Sequence, residues 1–317
     1  MPNQTTETVF LLLGFSDVRQ LQLLHFVAFL LLYLATIMGN LIIIILVALN
    51  HHLHTPMYFF LMNLSIADIG NISVNIPKAM SNSLMNTTLI SYTECVSQVF
   101  FLIFFAMTDL VLLTVMAYDR YVAICNPLQY ETMMNAGACV QMAAGAWIIG
   151  IFCAALHSGA TFSTTFCSNA VHQFFCEIPQ LLKLTCNDSV TMEFGVIIFA
   201  ACAAFGCFSF IIFSYMQIFT NVLRIPSAQG RRKALSTCLP HLVVVSLFIF
   251  TGTLAYLCPT NRTQNDVAMM IAVLYSVLPP MMNPVIYSMR NQEIRSALWK
   301  HFGRNLCPSQ QMSTILF

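Results

Sequence analysis

Long uninterrupted runs of apolar residues recur along the chain, and seven of them contain almost no charge. Each is close to the roughly 20 residues that a helix needs to cross the hydrocarbon of a bilayer. The predicted spans are Leu23–Leu49, Met57–Leu84, Val96–Tyr118, Cys139–Ser158, Phe194–Leu223, Ala234–Cys258 and Val267–Met289. Backbone amides in lipid must be paired within their own segment, and no alternating barrel pattern is present. The pattern therefore predicts an all-α membrane protein built as a seven-transmembrane helix bundle.

The ends of the chain are predicted to lie outside this bundle. Residues 1–22 form a tail before the transmembrane domain of residues 23–289, and residues 290–317 form a second tail. Within that second tail, residues 291–302 predict a short amphipathic C-terminal helix that lies on the membrane surface. Its apolar side carries Ile294, Leu298, Trp299 and Phe302.

Basic residues are concentrated on one side of the predicted bundle, and short cytoplasmic loops retain Lys and Arg. That side carries Arg120, Arg224, Arg231, Arg232, Lys233, Arg290, Arg295, Lys300 and Arg304, whereas the opposite side carries Arg19, Lys183 and Arg262. Glycosylation sequons agree, because they begin at Asn3, Asn86, Asn187 and Asn261 in the N-terminal tail or predicted outer loops. We expect a multi-pass plasma membrane protein with an extracellular N-terminus and a cytoplasmic C-terminus.

Composition excludes most other classes of protein. Of 317 residues, 58% are hydrophobic and only 8% are charged, with a formal net charge of +1. A soluble domain could not cover such a chain with polar surface, so membrane lipid is its expected partner and no nucleic acid is. Phosphate-binding loops, zinc-binding helices and nucleophile elbows are absent from the sequence, so we expect no enzyme activity.

Four of the twelve cysteines fall on the predicted outer side, where disulfides form. They are Cys95, Cys167, Cys176 and Cys186, and their positions alone allow three pairings. The last three belong to the long outer loop from Gly159 to Glu193, which is the only segment long enough to cover the bundle.

Charged residues inside the spans are costly in a bilayer and usually functional. Asp68 and Asp109 lie near the middle of their helices, where two carboxyl groups would share a proton or hold a cation. The alternative is protonated acids hydrogen-bonded to polar neighbours. Asp119-Arg120-Tyr121 closes the third span, where Arg120 is either held by Asp119 and released to a partner or simply extended towards the membrane interface.

Several ordered motifs resemble those of olfactory receptors, within the rhodopsin-like (class A) G-protein-coupled receptors. They are Gly39-Asn40, LHTPMYFFL at Leu53–Leu61, MAYDRYVAIC at Met116–Cys125, Ser214-Tyr215, KALSTC at Lys233–Cys238 and PMMNPVIY at Pro280–Tyr287. The resemblance covers the chain from end to end.

The resemblance also implies roles for individual residues. The outer cysteines would pair as Cys95 with Cys176 and Cys167 with Cys186. Asp68 and Asp109 would hold a sodium-type cation, and no other cofactor is expected. The residues that switch G-protein coupling would be Asp119, Arg120, Tyr121, Tyr215 and Tyr287. Two departures from the family pattern are Asp109, where Glu is common, and Thr251, where Tyr is common.

A binding pocket is predicted from helical spacing, because residues three and four apart share one side of a helix. The third span would contribute Leu102, Ile103, Ala106, Met107 and Leu110. By similarity of position the other spans would contribute Phe199, Ala200, Ala203, Leu254, Ala255, Cys258, Val273 and Ser276. The alternative for each is plain interhelical packing. Polar candidates near this lining are few, namely Thr108, Cys202, Cys258 and Ser276, so the expected ligands are small, hydrophobic and neutral.

The expected function is that of an odorant receptor, which binds volatile molecules within the bundle and activates a stimulatory, olfactory-type heterotrimeric G protein to raise cyclic AMP. A rhodopsin-like receptor for another lipid-like or peptide ligand is the alternative. An ion-coupled transporter that uses Asp68 and Asp109 is a weaker one, since it leaves the Asp-Arg-Tyr motif unexplained.

Overall fold

Seven long helices dominate the computed structural model, which describes residues 9–12, 18–171, 173–186, 191–224, 226–257 and 265–290, with Ile294, Ser296 and Trp299. The long helices are α1 (Arg19–Leu49), α2 (Pro56–Met85), α3 (Tyr92–Cys125), α5 (Ala136–Phe162), α7 (Thr191–Leu223), α8 (Ala228–Leu257) and α9 (Asn265–Arg290). Two short helices, α4 (Tyr130–Met133) and α6 (Ile178–Leu182), lie in the connections. All seven long helices contain stretches apolar enough to cross a membrane, which confirms the predicted fold class.

A small three-stranded sheet, which the sequence pattern did not predict, lies at one end of the bundle. Strand β1 (Val9–Leu12) runs between β2 (Leu89–Ser91) and β3 (Ala170–Val171). It is antiparallel to β2 and parallel to β3. We call this end of the bundle the sheet end and the opposite end the far end. The sheet brings a segment before α1 together with the connections that follow α2 and α5.

Local sequence signals explain where several helices begin and end. Pro56 opens α2 at a position where its missing amide hydrogen costs nothing, and Asn86 closes α2 in the left-handed conformation with φ of 53°. Ser91 and Glu94 form a reciprocal capping box at the start of α3. The Asn135 side chain accepts a hydrogen bond from the Ala138 amide at 2.9 Å and so caps α5.

Helix α3 is the central element, since it contacts α2, α5, α7 and α8. Two glycines allow its close approach to neighbours. A Cβ at Gly150 of α5 would collide with Thr108 Oγ1 and lie 2.8 Å from the Phe104 carbonyl oxygen, both on α3. A Cβ at Gly70 of α2 would collide with the Phe105 ring. Small residues at these positions let the backbones pack tightly.

Most helices extend beyond the spans predicted from the apolar runs. The third span was predicted to stop before Asp119, but α3 continues through the charged pair to Cys125. A membrane boundary limits the apolar run, whereas the helix itself ends only where its backbone hydrogen bonds end. Of the predicted C-terminal helix, the structure describes Ile294, which is buried against the core, Ser296, which is exposed, and Trp299, which is 73% exposed. The rest of that segment lies outside the described residues.

Candidate functional site

The predicted pocket residues of α3 lie on the inner side of the bundle. Leu102 and Leu110 are buried, while Ile103, Ala106 and Met107 are half-buried. Leu102 packs in a buried cluster with Phe175 of the loop after α5 and Ala272 of α9, and Val273 borders the same cluster. The structure therefore brings part of the predicted lining of α3 and α9 together beneath that loop.

Two predicted lining residues of α7 do not join this group. Phe199 is 52% exposed and Ala203 is also exposed, whereas Ala200 and Ala204 are half-buried. The inward stripe of α7 continues through the buried Ile211. Spacing gave the correct helical period but included residues beside the stripe. On α8, Leu254 is half-buried; the Ala255 side chain and Cys258 lie outside the described residues.

Of the polar residues predicted near the lining, Thr108 and Ser276 are already hydrogen-bonded and Cys202 lies on the surface. The Thr108 hydroxyl donates to the Phe104 carbonyl at 2.7 Å, and the Ser276 hydroxyl donates to the Ala272 carbonyl at 2.8 Å. Both bonds are made within their own helix, which removes the cost of burying the hydroxyl. Cys202 is exposed. The predicted lining, where it is described, is thus more apolar than its composition suggests.

The loop between α5 and α7 is tied across the sheet end by two disulfides. Cys95 pairs with Cys176 and Cys167 with Cys186, as the family resemblance implied. The Gln98 side chain accepts a hydrogen bond from the Cys176 amide at 2.8 Å and donates one to the Val74 carbonyl at 3.2 Å. Covalent and polar contacts therefore hold this loop over the bundle.

A buried carboxyl group fastens the same loop to α9. Glu177 Oε2 accepts a hydrogen bond from the Tyr275 hydroxyl at 2.5 Å, and Glu177 Oε1 accepts one from the Gln173 side chain at 3.3 Å. Burial raises the pKa of Glu177, while the Tyr275 hydrogen bond opposes part of that rise. Burial also lowers the pKa of nearby Lys183. Glu177 was not among the predicted site residues, because Tyr275 lies 98 residues away and no sequence motif connects the two.

Asp68 and Asp109 lie in one buried polar cluster. The Asn283 amide donates to Asp68 Oδ2 at 2.9 Å, and the two carboxyl groups are close enough to interact electrostatically. Among the described residues, one oxygen atom of each of Asp68, Asp109, Asn40 and Asn283 has no hydrogen-bond partner. No group of three or more His, Cys, Asp or Glu residues suited to a transition metal occurs in the described ranges. An all-oxygen set fits a hard cation such as sodium.

The predicted switch residues lie at the far end of the bundle. Asp119 is fully buried, with Oδ1 accepting a hydrogen bond from Tyr130 at 2.8 Å. Its Oδ2 lies 3.1 Å from Arg120 Nη2, an ion pair without hydrogen-bond geometry. Tyr215 and Tyr287 are buried in one cluster, and Tyr121 packs against it. These five residues therefore share one region.

A histidine that sequence analysis missed joins three helices in this region. His241 of α8 bonds to the Tyr215 hydroxyl of α7 through Nδ1 at 2.7 Å, and to the Leu113 carbonyl of α3 through Nε2 at 2.9 Å. It follows the KALSTC motif by three residues, but no local pattern reveals contacts to helices 26 and 128 residues away.

Of the four predicted glycosylation sites, only Asn86 falls on described residues. Asn86 is exposed at the sheet end, where its side chain accepts a hydrogen bond from Gln22 at 2.6 Å. Asn3, Asn187 and Asn261 lie outside the described residues.

Comparison with known proteins identifies the class and then the family. The crystal structure of squid rhodopsin superposes with a TM-score of 0.73 over 93% of this chain and 89% of that chain, at 19% identity. The two chains therefore share a rhodopsin-like, seven-helix fold. The sequence profile described as "Olfactory receptor" matches residues 29–305. The chain belongs to the olfactory receptor family.

Olfactory receptors of known sequence align with this chain over almost its whole length. Human olfactory receptor 14I1 is 49% identical over 303 residues, covering 95% of this chain and 97% of the relative. Human olfactory receptor 14A16 is 48% identical over 299 residues, covering 94% and 96%. Gorilla olfactory receptor 1G1 is 44% identical over 299 residues. The protein is thus a multi-pass membrane receptor and not an enzyme.

Proposed function

We propose that this receptor binds small, hydrophobic, volatile molecules among α3, α7, α8 and α9 and activates a stimulatory, olfactory-type G protein that raises cyclic AMP. The observation that carries the proposal is the apolar group of Leu102, Ala272 and Val273 beneath the disulfide-tied loop. Such a lining favours ligands with little charge, because a charged group buried there would have no partner.

The orientation proposed for the chain has the sheet end outside the cell and the far end in the cytoplasm of a plasma membrane. Disulfides persist in oxidising compartments, and both disulfides lie at the sheet end. The Asn86 sequon lies at that end too, and it is a proposed glycosylation site together with Asn3, Asn187 and Asn261. Arg231 and Arg232 at the start of α8 would then meet a G protein or anionic lipid.

Activation is proposed to occur by a population shift. An odorant that binds the active arrangement better moves α8 away from α3 at the far end, and a G protein binds the opened cleft. His241 bridges α3, α7 and α8, so this movement would break its contacts. A sodium ion held by Asp68 and Asp109 would favour the arrangement in which the two carboxyl groups stay together.

The proposal is tested by measuring cyclic AMP in cells that co-express the receptor and an olfactory-type G protein, over a panel of volatile compounds. An Arg120→Ala receptor, matched for surface expression, is expected to lose the response, because Arg120 is only 15% exposed beside Asp119 and is the proposed G-protein contact. A response that persists in Arg120→Ala would contradict the assigned role. Silence of the wild-type receptor at full surface expression, over a broad panel, would contradict the proposed function.

A further inference from the structure

A second buried polar cluster lies between α5 and α7 near the sheet end, apart from the aspartate cluster and the switch region. His157 Nδ1 of α5 lies 3.1 Å from Glu193 Oε1 of α7. Glu193 is fully buried and His157 is 6% exposed. Burying a carboxyl group among apolar helices is costly unless it is paired. The cluster therefore needs an explanation beyond ordinary packing.

Hydroxyl groups extend the cluster along α5. Ser158 follows His157 directly and Thr161 lies one helical turn further, so the three side chains share one side of α5. Ser158 is 8% exposed and Thr161 is fully buried. Among the described residues, Ser158 Oγ, Thr161 Oγ1 and Glu193 Oε2 have no hydrogen-bond partner. Buried polar atoms are nearly always bonded, so two unbonded hydroxyl groups beside His157 on α5, and an unbonded oxygen on the carboxyl group that His157 contacts, point to a group from elsewhere.

The cluster adjoins the predicted ligand lining. Ile197, one turn after Glu193 on α7, packs against a buried group that includes Val99 and Leu181. Ile103 of the predicted lining packs against the same group. Ile197 and Ile103 therefore border one buried apolar group, so apolar contacts join the predicted lining to the part of α7 that carries Glu193.

We propose that His157, Ser158, Thr161 and Glu193 form a polar subsite that binds the hydroxyl group of an alcohol odorant. This inference rests on the proposed function and adds the chemical class of ligand. The hydroxyl donates its hydrogen to Glu193 Oε2 and accepts a hydrogen bond from Thr161 or Ser158. Donor and acceptor are satisfied together, and the alkyl part extends towards Ile103.

Other ligand classes match the cluster less well. An ether or aldehyde has no hydrogen to donate, so it would place an acceptor against Glu193 Oε2. A protonated amine would compete with His157 for the same carboxyl group. A site built to bond a hydroxyl group discriminates strongly against an analogue without one, because its own polar atoms then stay unbonded.

The test compares matched ligands on purified receptor in detergent, with the shift in thermal unfolding midpoint as the measure of binding. The probes are a series of alkanols, each with the methyl ether and the primary amine that match it in heavy atoms. We expect an alkanol to stabilise the receptor at concentrations roughly tenfold or more below those of its ether. The amine should not bind better than the alkanol.

Substitutions in the proposed subsite test which side chains cause the preference for the alkanol over its ether. In Glu193→Gln, we expect the alkanol to stabilise the receptor only at the concentrations that its ether requires, with the ether itself unaffected. Ser158→Ala and Thr161→Val should each remove part of the difference between alkanol and ether. Thr164→Val is the matched control, because the buried Thr164 hydroxyl already donates to the Thr161 carbonyl at 2.6 Å. Its own unfolding midpoint should fall because that buried hydrogen bond is lost, but its preference for the alkanol over the ether should match that of wild type.

Several outcomes would overturn the subsite. They are equal binding of alkanol and ether, preference for the amine, no stabilisation by any alkanol, or a Glu193→Gln effect that weakens ether and alkanol alike. Cyclic AMP responses of the wild-type receptor to the same compounds distinguish the two proposals. Stabilisation by alkanols without any signal contradicts the signalling function alone, and a signal without alkanol preference contradicts the subsite alone.

Discussion

Four of the buried carboxyl groups that the structure describes in this receptor have a side-chain partner. Asp68 is bonded by an amide, Asp119 by a phenol beside an arginine, Glu177 by a phenol and an amide, and Glu193 by an imidazole. An unpaired carboxylate in an apolar interior would cost several kcal/mol. The residue types were visible in the sequence, but the contacts with Tyr130, Tyr275 and His157, which lie in other elements, were not.

Glu177 gives a prediction about pH at the residue scale. Because burial raises its pKa above the ordinary value of 4.5, folding favours the protonated acid. Stability attributable to Glu177 is therefore greatest below 4.5 and falls as the pH rises from 4.5 through the raised folded-state pKa. Glu177→Gln is expected to remove that fall. The measurement is the thermal unfolding midpoint of purified receptor over that pH window.

Glu131→Gln is the control for this experiment, because Glu131 is an exposed carboxylate in the α4 segment at the far end. It should leave the wild-type pH profile unchanged. An identical pH profile for wild type and Glu177→Gln would contradict the prediction, because it would mean that the Tyr275 hydrogen bond offsets burial and that folding leaves the pKa of Glu177 unchanged.

At the scale of elements, the α3–α5 contact is set by Gly150. Alanine is favoured over glycine in a helix by about 1 kcal/mol. At Gly150 this gain is opposed by collision with Thr108 and the Phe104 carbonyl, which belongs to the backbone and cannot turn aside. Overpacking costs about 1–3 kcal/mol. Gly150→Ala is therefore expected to lower the thermal unfolding midpoint of the purified receptor.

Gly145→Ala on the same helix provides the comparison. A Cβ there meets nothing within 4 Å, so only the gain in helix propensity applies. Gly145→Ala should match or exceed the wild-type midpoint. If the two variants behave alike, the close approach of α3 and α5 is not what Gly150 provides.

The sequence predicted those parts of the helices that are apolar enough to lie within a membrane. The apolar runs located all seven long helices because lipid forces each span to be helical and uncharged. The extension of α3 from Tyr118 to Cys125 was missed because polar residues at the membrane boundary no longer carry the signal. The pocket side of α7 was only partly predicted, since an apolar helix surrounded by lipid has no polar side to contrast with its buried one.

At the scale of the whole molecule, the sheet determines how the connections close over the bundle. Phe10 of β1 is 1% exposed and contacts the rings of Tyr92 and Phe166, at centroid distances of 6.1 and 5.4 Å. Phe10→Ala is expected to cost about 3 kcal/mol of stability, as for a buried aromatic residue. Surface expression and the unfolding midpoint of the receptor should both fall.

Leu11→Ala is the matched control, because Leu11 is 40% exposed on the opposite side of the same strand. It should leave both measurements near wild type. Equal losses in the two variants would mean that the backbone pairing of β1, and not the burial of Phe10, holds the sheet end together.

The sheet also shows what sequence reasoning cannot supply at this scale. Strands β1, β2 and β3 have four, three and two residues, too few for an alternating pattern to stand out. Their pairing depends on the bundle, which brings three distant segments to one end. The disulfide pairing was obtained only through the family resemblance, since four cysteines permit three arrangements.

The position of β1 between its two neighbours has a consequence for how the receptor is made. β1 emerges first from the ribosome, yet the residues that pair with it in β3 follow about 160 residues later. At about 5–20 residues per second, the strand waits roughly ten to thirty seconds for that partner. β1 can therefore complete its pairing only after α1, α2, α3 and α5 have been made, while α7, α8 and α9 still follow in the chain.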